Sequence, residues 1–102
     1  MTLTLRSRYL ALVRTGQKTS TIRLWPSCRV QAGQAITFTD YRASVRTVCT
    51  AVDQRRVADL TDVDARADGF VDRDGLCDAL RAHYPALVPS SWVWIIHFSS
   101  PQ

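Results

Sequence analysis

One stretch near the N-terminus decides how the chain is interpreted, and it reads Gly16-Gln17-Lys18-Thr19-Ser20-Thr21-Ile22-Arg23. The glycine follows a segment with helical spacing, and glycine is the residue with which helices commonly end. From Lys18 to Leu24 the side chains alternate as in a strand, so one face carries Thr19, Thr21 and Arg23. The other face carries Ser20, Ile22 and Leu24. We therefore expect a strand that presents a hydroxyl and a guanidinium on one side.

Short elements are predicted on both sides of this stretch. Segments with helical spacing occur along the chain between segments that are apolar or that alternate between polar and apolar residues. The stretch Thr61-Asp62-Val63-Asp64 is an analogue of a capping box. The predicted helices are Arg8–Thr15, Asp59–Ala67 and Asp72–His83. The predicted strands are Thr2–Leu5, Lys18–Leu24, Ala35–Tyr41, Ser44–Asp53 with an extension at Arg55–Val57, and Trp92–Ser99.

The order of these elements predicts the fold class. They do not alternate as strand–helix–strand units, which favours an α+β fold: a small mixed β-barrel of about five to six strands with flanking helices. A chain of 102 residues is long enough for one core, so we expect a single domain spanning residues 1–102. In the last strand, Trp92 and Trp94 share one face, and we expect them to pack rather than to form a binding platform.

Charge is distributed unevenly along the chain. Residues 1–56 hold ten basic side chains and two acidic ones, whereas residues 57–102 hold three basic side chains and seven aspartates. If the first half forms one surface, that surface attracts polyanions. Charges spread over a solvated surface are the alternative.

Several classes of protein are not indicated. No apolar run approaches the roughly 20 residues needed to cross a bilayer, and no signal peptide is recognisable, so we expect a cytoplasmic protein without a membrane partner. The cysteines Cys28, Cys49 and Cys77 have no metal-ligand spacing with each other or with the histidines. We therefore predict neither a metal site nor a cofactor.

Lys18 is the only lysine among thirteen basic residues, and the chain contains no glutamate. A lysine amine can lose its proton when it is desolvated, whereas a guanidinium stays charged. A cation, a hydroxyl at Thr21 and a guanidinium at Arg23 could therefore cradle an anion and polarise a carbonyl. A polar strand face exposed to solvent is the alternative.

Several fragments in order resemble the ASCH domain family, whose small barrels are related in shape to the PUA domain. They are the motif G-x-K-x-x-T-x-R at Gly16–Arg23, Ala32-Gly33-Gln34-Ala35-Ile36 before a strand, Asp59-Leu60-Thr61, Gly69-Phe70 with Leu76 in the helix that follows, and Tyr84-Pro85 before the last strand. Together these fragments span nearly the whole chain.

The resemblance implies a role with RNA or with a modified nucleoside as partner. ASCH domains have been proposed as RNA-binding modules, some bacterial members hydrolyse the acyl group of N4-acetylcytidine, and others are reported to cleave RNA. In the amidohydrolase branch the catalytic set is a Lys and a Thr of the motif plus a Glu before the late helix. Here the Lys matches Lys18 and the Thr matches Thr21, while Asp68 is the nearest counterpart of the missing Glu. An exposed residue at a helix end is the alternative for Asp68.

Further side chains are candidates for binding RNA or a nucleoside. They are Ser20, Arg23, Trp25 and Arg46. Trp25 could stack on a base and Arg46 could contact a phosphate, with a packing role and a solvated sheet edge as the respective alternatives. Two other functions stay open: a non-catalytic RNA-binding module and a protein-interaction domain. The sequence carries no signal for an oligomeric state.

Overall fold

The computed structural model describes residues 1–99, and residues 100–102 of the predicted domain lie outside the described part. Every helix and strand predicted from the sequence is present within those residues. The strands are β1 (Thr2–Thr4), β2 (Ser20–Arg23), β3 (Ala35–Thr39), β4 (Ser44–Arg56) and β5 (Trp92–Phe98). The helices are α1 (Ser7–Thr15), α2 (Asp62–Ala67) and α3 (Arg73–His83), and a 3₁₀ turn covers Val57–Asp59.

The five strands form one sheet in the order β1-β3-β4-β5-β2, with β1 and β3 parallel and the other pairs antiparallel. The first part of β4 pairs with β3 and its later part pairs with β5. A register shift between Cys49 and Ala51 separates the two parts, and such bulges bend a strand. The sheet therefore curls into a half-barrel, and the predicted α+β barrel class is confirmed.

Both faces of the curled sheet are covered by apolar side chains, in two separate cores. The barrel-side core includes Phe38 and α1 residues such as Val13, and Ile96 and Phe98 of β5 reach it. The second core lies under α2 and α3, and the opposite face of β5 contributes Val93 and Ile95 to it. The last strand is apolar on both sides because it runs between these two cores.

The expectation that Trp92 and Trp94 both pack in the core was wrong for Trp92, whose side chain is 48% exposed. These two residues share the barrel-side face with Ile96 and Phe98, but the barrel-side core does not extend to them. Trp94 is half-buried, and its indole Nε1 donates to the main-chain oxygen of Trp25 at 3.1 Å.

Local chemistry fixes both late helices. Thr61 caps α2, since its hydroxyl accepts from the Asp64 N–H at 3.2 Å while the Asp64 carboxylate accepts from the Thr61 N–H at 3.0 Å. The predicted capping box is therefore confirmed. Asp72 caps α3 by accepting from the Gly75 N–H at 2.9 Å. Among residues 1–99 no helix is long and apolar enough to span a membrane.

Asp40 joins the β3–β4 turn to the start of α1. Its carboxylate accepts from the Ser7 hydroxyl at 2.6 Å and from the N–H groups of Arg42 and Ala43 at 2.9 and 2.8 Å. These hydrogen bonds, that of Ser7 foremost, lower the pKa of Asp40 from 3.8 to about 2. The folded structure thus stabilises the charged form of this carboxylate.

This carboxylate gives the first testable prediction. Because its pKa is lower in the folded chain than in the unfolded one, its contribution to stability is complete above about pH 4 and is lost as the pH falls towards 2. We expect Asp40→Asn to lower the melting temperature clearly at pH 6 and much less at pH 2, as measured by thermal unfolding. The exposed Asp59→Asn is the matched control, and an Asp40→Asn shift of equal size at both pH values would contradict the prediction.

Candidate functional site

The turn after α1 is held from two sides. Gly16 ends the helix in the left-handed conformation, with φ 82°, and its N–H bonds to Val13 at 3.1 Å. The Lys18 N–H then donates to the oxygen of Leu12 at 3.0 Å, and the Thr19 N–H donates to the oxygen of Ala67 at 2.7 Å. The motif is therefore clamped between the end of α1 and the end of α2.

A second glycine brings the end of α2 onto the lysine. Gly69 has φ +93°, and a Cβ at this position would lie 3.0 Å from Leu12 Cδ1 and 3.6 Å from Lys18 Cβ. A larger residue would be strained in this conformation and would crowd the neighbouring helix. The absence of a side chain at Gly69 thus allows the preceding residue, Asp68, to approach Lys18.

Lys18 and Asp68 form a buried ion pair. The two residues are 3% and 5% exposed. Lys18 Nζ donates to Asp68 Oδ1 and, at 3.0 Å, to the main-chain oxygen of the same residue. The alternative of an exposed helix-end residue for Asp68 was wrong, because the turn at Gly69 directs this carboxylate inwards. The aspartate reaches the lysine although it is one methylene shorter than a glutamate.

Burial shifts both members of the pair towards their neutral forms. Desolvation lowers the pKa of Lys18, and the nearby positive charge of Arg23 lowers it further, while the charge of Asp68 opposes the shift. Desolvation likewise raises the pKa of Asp68. A neutral amine is therefore easier to reach here than at the protein surface, as a general base requires.

Arg23 connects Thr21 to the opposite edge of the half-barrel. Its Nε donates to Thr21 Oγ1 at 3.1 Å, and an Nη donates to the main-chain oxygen of Thr4 at 3.3 Å. Since β2 and β1 are the two edge strands of the sheet, the guanidinium spans the seam where the barrel is open. The Thr21 oxygen accepts from a cation, which stabilises a developing alkoxide.

A cavity of about 180 Å³ lies at this seam. Four of the predicted site residues line it together: Lys18, Thr21, Arg23 and Asp68. Its other walls come from β1, α1, Phe70 and α3. The structure thus places the only lysine and the hydroxyl three positions later around one hollow, beside the guanidinium.

The main chain of β2 also faces the cavity. The Phe98 N–H donates to the Thr19 oxygen at 3.0 Å, which fixes the alternation of the antiparallel pair. In that alternation Thr21 and Arg23 direct their main-chain groups to β5, and Ile22 directs its N–H and C=O to the open edge. Ile22 lines the cavity, so this edge offers a donor and an acceptor to a flat polar ligand.

Three predicted binding residues do not line the cavity. Ser20 is fully buried on the opposite face of β2 from Thr21, and its hydroxyl has no hydrogen-bond partner within residues 1–99. Trp25 is half-buried after the strand, with the Arg29 guanidinium 5.5 Å from its ring centre. Arg46 is exposed on the part of β4 that pairs with β3. A binding role for these residues stays a prediction.

The sequence did not indicate the aromatic and cationic walls of the cavity. The Tyr9 ring lies 5.9 Å from Lys18 Nζ and 5.7 Å from the Phe70 ring, measured to the ring centres. Arg6 and Arg8 contribute exposed cations at the same cavity. Tyr9 lies within the predicted helix Arg8–Thr15 and carried no further signal, and the uneven charge distribution was the one signal for Arg6 and Arg8.

The fold of this chain is similar to that of several solved structures. An ASCH domain from Lactobacillus crispatus matches 90% of the chain and 69% of its own length, with a TM-score of 0.73 and 15% identity. An ASCH protein from Zymomonas mobilis matches 99% of the chain and 67% of its own length, with a TM-score of 0.75 and 13% identity. A Pyrococcus furiosus protein solved by NMR matches 96% of the chain and 94% of its own, with a TM-score of 0.63 and 15% identity.

No family model matches the sequence, and no curated protein matches it. The protein is a small α+β half-barrel with a cavity at its seam. Its fold is that of the ASCH domains, and the resemblance seen in the sequence is confirmed at this level.

The ion pair gives the second prediction. Removing one partner of a buried pair destabilises a protein by roughly 3–5 kcal/mol, whereas replacing both by apolar residues costs much less. We expect Lys18→Met and Asp68→Leu to be strongly destabilising singly. The double variant should lose at least about 1 kcal/mol less than the sum, as measured by urea unfolding. Additive losses would show that the two side chains are not coupled.

Proposed function

We propose that the seam cavity binds an acylated nucleoside of the N4-acetylcytidine type and hydrolyses its amide. The observation that carries this proposal is the buried Lys18–Asp68 pair, which lines the same cavity as the Thr21 hydroxyl. An amine whose pKa is lowered by burial, a hydroxyl and a carboxyl around one hollow are the groups that acyl transfer needs.

The walls of the cavity suit a single nucleoside. Tyr9, Phe70 and Tyr84 offer aromatic surface to a flat base, and the open edge at Ile22 offers a donor and an acceptor to its polar side. Arg6 and Arg8 attract a phosphate at the entrance. The volume of about 180 Å³ lies below the roughly 300–1,000 Å³ of pockets for drug-sized ligands. The cavity therefore favours one base over a larger group.

The chemistry proceeds in two acyl-transfer steps. Neutral Lys18 accepts the proton of the Thr21 hydroxyl, and the oxygen attacks the amide carbonyl of the substrate. The C–N bond then breaks, the acyl group stays on Thr21 as an ester, and the departing amine of the base takes the proton from Lys18. A water molecule, oriented by Asp68, attacks the ester, so that a carboxylic acid leaves and the hydroxyl is restored.

Arg23 supports this sequence without exchanging a proton. Its Nε–H already points at Thr21 Oγ1, so it stabilises the negative charge that develops on that oxygen. Desolvation is the main cause of the lowered pKa of Lys18, and the positive charge of Arg23 lowers it further. The guanidinium thus favours both the base and the nucleophile.

The third prediction tests the nucleophile. Thr21→Val keeps the shape of the side chain but removes the hydroxyl, and we expect it to lower the hydrolysis of N4-acetylcytidine at least about a hundredfold. Thr21→Ser is the matched control and should retain measurable turnover. The release of cytidine, followed by chromatography, is the measurement, with the melting temperature recorded for each variant. Equal turnover by Thr21→Val and the parent chain would remove Thr21 from the mechanism.

The fourth prediction uses the pH dependence of kcat/KM. The neutral fraction of Lys18 rises with pH, so the rate should rise through the lowered pKa of this amine. The charge of Asp68 raises that pKa, and Asp68→Asn removes the charge. We therefore expect the rising limb to move to lower pH in Asp68→Asn, together with a lower maximal rate. A limb that moves to higher pH would contradict the assignment of Lys18 as the base.

A non-catalytic RNA-binding module is the second candidate function. It is favoured by the way in which Lys18 Nζ is engaged by Asp68, while the exposed side chains of Arg6 and Arg8 lie at the cavity. Such a module would bind a short RNA with an affinity that falls steeply as salt is raised, and it would release no cytidine. The turnover assay above therefore separates the two functions.

A further inference from the structure

A surface on the barrel-side face of the sheet combines tryptophan rings with guanidinium groups. We call it the Trp–Arg track, and it consists of Arg23, Trp25, Arg29, Arg56, Trp92 and Trp94. Trp92 and Trp94 lie on the same face of β5, about 7 Å apart along the strand. They continue the row of Ile96 and Phe98, at the end where the apolar core stops.

The outer end of the track pairs an exposed ring with a cation. Arg56 lies directly opposite Trp92 in the β4–β5 register, and its guanidinium is 5.0 Å from the Trp92 ring centre. Trp92 belongs to neither core and is half-exposed. Burial in the fold therefore gives no reason for a tryptophan here, whereas a partner that stacks on the ring would.

In the middle of the track, Trp94 is hydrogen-bonded to the segment after β2. Trp94 Nε1 donates to the main-chain oxygen of Trp25 at 3.1 Å, which ties β5 to the segment after β2. Exposed Arg29 stands 5.5 Å from the Trp25 ring centre. The track thus repeats the same pairing of an aromatic ring and a guanidinium.

The inner end of the track reaches the seam cavity. Arg23 lies opposite Trp94 in the β2–β5 register, and the same residue lines the cavity beside Thr21. Arg23 therefore belongs both to the track and to the wall of the cavity. The neighbouring acidic residue of β4, Asp53, lies on the other face, where its carboxylate is 3.1 Å from His97.

We propose that the protein acts on a nucleoside within single-stranded RNA, and that the nucleotides next to it bind along the Trp–Arg track. This inference rests on the proposed function for the nucleoside in the cavity. Stacking rings beside cations are the pattern that binds single strands, because every base has a flat face and every linkage a negative charge. A duplex keeps its bases stacked inside and presents no free face to these rings.

The fifth prediction is a binding experiment with a fluorescein-labelled, ten-nucleotide single-stranded RNA of mixed sequence. We expect Trp92→Ala and Arg56→Gln each to weaken its binding at least about fivefold in fluorescence anisotropy. Tyr41→Ala is the matched control for an exposed aromatic residue, and Arg66→Gln is the control for an exposed arginine. Both controls should bind as the parent chain does, and melting temperatures should be equal within each pair.

Two outcomes would overturn the inference: equal binding of the RNA by the track variants and the parent chain, or equal binding of a duplex of the same sequence. Turnover of free N4-acetylcytidine keeps this result separate from the proposed function. Trp92→Ala should leave that turnover unchanged, since Trp92 does not line the cavity. RNA binding through the track without any turnover would support the track and reject the hydrolase. Turnover of N4-acetylcytidine together with equal RNA binding by the track variants and the parent chain would support the hydrolase and reject the track.

Discussion

The buried contact between Lys18 and Asp68 is the constraint on which the site depends. Taking two charges out of water is unfavourable, and a buried pair is poor evidence of a gain in stability. Here the pair is approached by α1, α2 and the start of β2, which meet through main-chain hydrogen bonds and the bare face of Gly69. The fold therefore buries two ionisable groups at a cavity wall although their burial is unfavourable. Shifted pKa values of this kind are common at functional sites.

The cavity exists because the sheet does not close. Edge strands β1 and β2 are not paired in the sheet, the side chain of Arg23 bridges them, and α1 and α3 cover the gap from either side. A closed barrel would pair the main chain of Ile22 with a neighbouring strand. In the half-barrel that edge stays available at the cavity, so the seam supplies shape, polar groups and charge together.

Much of the fold could be predicted because its signals are local. Gly16 marks the end of α1, the Thr61–Asp64 box marks the start of α2, and the alternation in β4 and β5 marks strands, each within a few neighbouring residues. The strand order was not predictable. It depends on a bulge in β4 that lets one strand serve two partners, and on two cores that bury opposite faces of β5. For that reason the exposure of Trp92 could not be foreseen.

By itself, the sequence determined the helices and strands, the resemblance to ASCH domains, and the spacing of Lys18, Thr21 and Arg23, since strand geometry sets which of these residues share a face. Only the tertiary structure decided that Asp68, fifty positions after Lys18, would be buried against it. The physical reason is distance along the chain. Contacts within a strand follow from its periodicity, whereas those between α1, α2 and the sheet edge depend on how the cores pack.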